Sequence, residues 1–104
     1  MNYELQNFPN PFNPSTTIYF NLTTEKTENM ELVIYNLKGQ KIKSLPVILS
    51  DAQHRIERRG HNNKYSIIWS GNDQNNNPVG SGIYLYQLKV DGKAIKTKKM
   101  MLIK

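Results

Sequence analysis

Among its 104 residues the sequence has no cysteine and only two histidines, His54 and His61. No disulfide can staple the fold, and no thiolate can act as nucleophile or metal ligand. Both histidines sit in an arginine-rich stretch without an acidic orienter on a rigid element, so no nucleophile–base–orienter set is expected. There is no G-x-S-x-G, no phosphate-cradling glycine loop and no H-E-x-x-H. The eight carboxylates fall mostly in turns or beside lysine, and no pair is marked for acid–base work. No apolar run approaches the roughly 20 residues that span a bilayer, and the N-terminus lacks the apolar core of a signal peptide. These absences point to a small domain with no catalytic residue, no metal and no cofactor.

What is present is a basic, asparagine-rich chain with one tryptophan and a formal charge of +6. Its length suits a single domain over residues 1–104. The charge is uneven: residues 1–37 carry −3, residues 38–64 carry +5 and residues 65–104 carry +4. A basic balance favours an anionic partner, although lysines on strands also serve as solvated charges that discourage aggregation. Arg55, Arg58 and Arg59 could meet phosphates, but no aromatic platform or groove-reading helix accompanies them, so no nucleic acid is expected. Asp73-Gln74-Asn75-Asn76-Asn77 resembles the start of a calcium loop. Pro78 and Tyr84 stand where that loop needs glycine and glutamate, so an asparagine-rich turn is the better reading.

The periodicity is that of strands. Residues 15–22 alternate, with Ile18, Phe20 and Leu22 on one face. Residues 30–37 place Met30, Leu32 and Ile34 on one side and Val33, Tyr35 and Leu37 on the other, as in a central strand. Gly39 supplies a turn, residues 40–45 return, and Pro46 is expected to close that strand. Residues 46–63 read as a long basic loop, with one helical turn after Ser50 or a short irregular strand. Further strands are expected over 64–69, 83–90 and 94–103, with Asp91-Gly92 as a hairpin turn and 3–8 as an edge strand. Seven strands without a dependable helix predict an all-β, immunoglobulin-like antiparallel sandwich. Gly82-Ile83-Tyr84-Leu85-Tyr86 has the form of a tyrosine corner, in which a phenol pins the connection entering a strand.

Residues 1–14 form a proline-rich lead-in. Pro9, Pro11 and Pro14 forbid helix and remove three ladder donors, while Phe8 and Phe12 can pin the stiff segment to the sandwich. Asn7 to Ile18 follow the pattern N-x-P-N-P-F-N-P-S-T-x-I, with Asn10, Phe12 and Asn13 between the prolines. Leu32, Tyr35, Gly39, Gln40, Ile42 and Leu45 fit L-x-I-Y-N-x-x-G-Q-x-[VI]-x-x-L. Trp69, Gly71 and Asp73 fit W-x-G-x-D, and Val79, Ser81, Gly82, Ile83, Tyr84, Tyr86 and Leu88 fit V-x-S-G-[IV]-Y-x-Y-x-L. Taken in order over nearly the whole chain, these blocks resemble the C-terminal sorting domain of the type IX secretion system. That family is related in fold to the Ig-like domain of the flagellar hook-cap protein. The chain departs from it in the longer basic loop after Leu45 and in Trp69-Ser70-Gly71, where W-D-G is usual.

The resemblance implies a non-catalytic label covalently joined to a larger cargo protein. Such cargo leaves a Gram-negative bacterium through the periplasm and outer membrane and ends secreted or on the cell surface. The implied partners are the type IX translocon and a sortase-like peptidase; insertion into the membrane is not expected. The expected recognition element is the last strand, Lys99, Met100, Met101, Leu102, Ile103 and Lys104, with Gly82 and Tyr84 holding its neighbour. A terminal apolar edge strand can pair with a partner by β-augmentation. The competing expectation is an Ig-like accessory module that binds glycan or protein through exposed aromatics such as Tyr3, Tyr19 or Tyr65.

Overall fold

The structure is a computed structural model that describes residues 5–22, 30–47, 55–59 and 62–104. These residues form eight strands: β1 (Leu5–Phe8), β2 (Thr16–Leu22), β3 (Met30–Asn36), β4 (Lys41–Val47), β5 (Arg55–Arg59), β6 (Asn62–Trp69), β7 (Gly82–Val90) and β8 (Lys93–Leu102). One sheet has the order β1-β2-β6-β5 and the other β4-β3-β7-β8. Every neighbouring pair is antiparallel. Lettered A to G with one added strand, these are the A-B-E-D and C′-C-F-G sheets of an immunoglobulin-like sandwich.

The core follows from alternation. Ile18 and Phe20 of β2, Leu32 and Ile34 of β3, Tyr86 and Leu88 of β7, and Met100 and Leu102 of β8 are buried between the sheets. Val33, on the opposite face of β3, is also fully buried. Its cross-strand neighbours Ser44 and Gln87 flank it on that face. Tyr65 joins the core rather than the surface, stacking on Phe20 with centroids 5.5 Å apart and planes 13° off parallel. The aromatic platform expected of a glycan-binding module therefore loses Tyr65, while Tyr3 lies outside the described residues.

Two expectations are corrected. Pro46 does not end its strand: it pairs with Glu31 inside β4, as an edge strand permits where the missing N–H would face outward. The stretch 46–63, expected as a long basic loop with a helical turn or a short irregular strand, contains the end of β4, the short bulged strand β5 and the start of β6. The helical turn after Ser50 and both histidines fall outside the described residues. The hairpin between β3 and β4 turns on Asn36, whose Oδ1 accepts from the N–H groups of Lys38 and Gln40, each at 2.9 Å. Gly39 completes that turn at φ +83°, where a β-carbon would be strained.

The tyrosine corner is present. The Tyr84 hydroxyl donates to the Gly80 carbonyl at 2.6 Å, fixing the chain as it enters β7. Tyr86 lies two residues on, fully buried, and burial pushes its phenol up to about 12. The unfolded chain ionises this group near 10, so the native state keeps a proton that the unfolded state loses. Its contribution is intact below pH 10 and is lost as pH rises toward 12. By pH 12 the loss is expected to reach about 2–3 kcal/mol. Urea denaturation of the protein and of Tyr86→Phe between pH 8 and 12 checks this: the difference in stability between them should shift across that window.

Candidate functional site

The proline-rich motif is not a free lead-in. β1 and β2 pair from Leu5↔Phe20 to Phe8↔Thr17, so residues 9–15 are the loop of a hairpin. Its base is stapled by polar side chains. The Asn7 amide donates to Thr16 Oγ1 at 3.1 Å, and the buried Thr16 hydroxyl donates to the Pro9 carbonyl at 2.8 Å. The Phe8–Pro9, Asn10–Pro11 and Asn13–Pro14 bonds are cis. The loop forms a strap that leaves its own sheet and reaches the end of β8.

There it meets the last strand along its outer edge. Phe12 N–H donates to the Met101 carbonyl, and Ile103 N–H donates to the Phe12 carbonyl, both at 2.9 Å. These two bonds form a parallel bridge of Phe12 with Leu102. Met101 N–H donates to Asn10 Oδ1 at 3.0 Å, and Lys104 N–H donates to Ser81 Oγ at 2.9 Å. The edge of β8 over Met101 and Ile103 is occupied by the protein's own strap and cannot take a partner's strand without displacing it.

The strap is anchored by its side chains too. The Phe12 ring, only 2% exposed, packs 5.6 Å from Trp69, which meets Tyr84 edge-on at 5.4 Å. Buried Trp69 satisfies its indole N–H by donating to the Asn72 carbonyl at 2.9 Å. Gly71 lies against the strap. A β-carbon there would sit 2.9 Å from the Pro14 carbonyl oxygen and 3.5 Å from Leu102, at φ +72°. Gly71→Ala is therefore expected to cost about 2–4 kcal/mol, from left-handed strain plus forced movement of backbone. A change below 1 kcal/mol in urea denaturation would contradict this contact. Asp73 Oδ1 accepts from the N–H groups of Asn75 and Asn77, each at 2.9 Å, which accounts for the asparagine-rich turn without a cation.

The six residues expected to mark the terminus divide in two. Met100 and Leu102 are core, whereas Lys99, Met101, Ile103 and Lys104 reach the surface. Tyr84 is buried and Gly82 is exposed, paired with Leu102. Sequence reasoning missed Asn10 and Ser81 as backbone pins of the last strand. The signal available was their fixed place inside two motif blocks.

Residues 6–104 match the family model described as a secretion system C-terminal sorting domain. The chain belongs to this family. Sorting domains of the family are the signal of type IX secretion in Gram-negative bacteria, so the chain carries an address for export to the surface or beyond. The matched region includes both the strap and the strand it clasps. Among solved structures, dimeric latent PorU from Porphyromonas gingivalis is similar at 25% identity and a TM-score of 0.74. The match covers 97% of this chain and 9% of PorU, so the likeness is to one small part of that protein. No curated protein matches the chain.

Proposed function

We propose that this sorting domain works as a folded, non-catalytic label joined to a larger cargo protein. The label is read by the type IX translocon at the outer membrane after the cargo has entered the periplasm. A sortase-like peptidase then acts on the exported protein. The supporting observation is that the fold welds the start and end of the family match together, through the bonds of Asn10 and Phe12 to Met101 and Ile103. A signal divided between residues 91 positions apart exists only when the domain is folded. Recognition of the folded shape, rather than of a linear tail, follows from that division.

The test is a reporter with a periplasmic signal peptide and residues 1–104 at its C-terminus, placed in a type IX-competent host. Protease-accessible reporter at the surface or in the medium is expected, and only when the translocon is intact. Retention in the periplasm, or equal export without the translocon, would overturn the reading. Detectable hydrolytic activity in the isolated domain would overturn its non-catalytic part.

A further inference from the structure

We propose that the outer face of the β4-β3-β7-β8 sheet, at Ile83, Met101 and Lys99, is the docking surface of the label. Its partner is an acidic polypeptide segment that seats an apolar side chain there. This rests on the sorting function above and names the site within it.

The argument begins with what is closed. The strap occupies the β8 edge at Met101 and Ile103. At the opposite edge, Gln74 N–H donates to the Ile42 carbonyl, and Gln74 Oε1 accepts from Ser44 N–H at 2.9 Å. Loops therefore cover both edges at these residues, and the inner face of the sheet is core. At the Met101 end a partner meets the outer face.

That face has an apolar centre and a basic rim. Register places Lys41, Tyr35, Leu85 and Lys99 in one row across four strands, with Ile83 opposite Met101 in the next. Ile83 is 36% and Met101 40% exposed. With Asn10, Lys99 and Met100 they line a shallow depression of about 200 Å³, a volume suited to one apolar side chain. The Lys99 ammonium makes no hydrogen bond or ion pair among the described residues. Lys41, Lys89 and Lys99 share this face with a single carboxylate, Glu31, among the described residues, whereas Lys96 and Lys98 point the other way, toward β1. Charge complementarity therefore calls for carboxylates on the partner. A depression with half-buried apolar atoms favours an inserted side chain over a bilayer, which is bound by apolar groups that protrude.

The control lies on the other sheet, where Phe8 and Ile68 are exposed with Thr17 between them. In the reporter assay, Lys99→Glu and Met101→Ser are each expected to lower the exported fraction tenfold or more, the loss typical of a hot-spot residue. Ile68→Ser should stay within about twofold, as for a residue outside the contact. Thermal unfolding of the purified variants separates docking from folding. If Met101→Ser unfolds, Lys99→Glu, at an exposed and unpaired position, still decides. Folded variants exported like the parent would overturn the site and leave the sorting function standing; failure of the parent itself would sink both. Equal loss in Ile68→Ser would also overturn the site. Lys99-dependent sedimentation of the domain with phosphatidylglycerol vesicles would replace the acidic polypeptide with a lipid surface and overturn the partner.

Discussion

Phe12→Ala is expected to lower the unfolding free energy by about 3–5 kcal/mol, the usual cost of removing a buried phenylalanine ring. The ring is almost wholly enclosed and its neighbour Trp69 is the largest side chain in the core. Truncation leaves a cavity against that indole, and the surrounding aromatics cannot collapse to fill it while Tyr84 is held by its bond to Gly80. For a domain of ordinary stability, about 5–15 kcal/mol, this is about a fifth or more of the total. The loss should also be spatially specific. Once Phe12 no longer anchors the strap, the amide of Ile103, which donates to the Phe12 carbonyl, should exchange with solvent faster than amides in β2 or β3. Asn10→Ala removes a single acceptor at the edge and should cost about 1 kcal/mol. Urea denaturation with amide exchange measures both. A loss below 1 kcal/mol for Phe12→Ala, or uniform acceleration of exchange, would mean that the strap is not the closure of this edge.

Much of the sandwich was legible because a half-buried strand writes its geometry at period two. Ile18 and Phe20, and Leu32 and Ile34, declare the inner faces without help from the rest of the chain. The Asn36–Gly39 turn and the Asp91-Gly92 hairpin declare themselves by turn chemistry, and Tyr84 by its spacing from the glycine before it. Other features leave no local signature. Pro46 looks like a strand end until the strand is known to be an edge. Tyr65 looks like a surface aromatic until its register opposite Phe20 is known. The strap's contact with β8 joins Phe12 to Met101 and Ile103 through main-chain groups, which any sequence supplies, and adds only the Asn10 side chain to them. The proline motif announced stiffness and the two phenylalanines announced anchoring. Phe12 is the anchor and Phe8 remains exposed, a distinction that depends on which ring the loop turns inward. The docking face was equally hidden, because Lys41 and Lys99 share a row only once four strands are aligned.

Leu102→Ala is expected to cost about 3–5 kcal/mol, whereas Ile103→Ala, one residue on, should cost less than about 1 kcal/mol. Leu102 is fully buried, touches the space beside Gly71 and bridges Phe12, while the Ile103 side chain is half exposed. The contrast bears on how the terminus acts as a signal. Deleting residues 99–104 removes two core side chains, Met100 and Leu102, and every main-chain partner of Phe12. Such a deletion is expected to unfold the domain, so lost export after it reports folding and says nothing of contact. Single changes separate the two roles, because β8 sends alternate residues to opposite faces. Met100 and Leu102 hold the sandwich; Lys99 and Met101 face outward. If Leu102→Ala and Ile103→Ala prove equally destabilising in urea denaturation, that division of the last strand fails. If Leu102→Ala alone destabilises, a folded variant that still fails in export must owe its defect to the outward set.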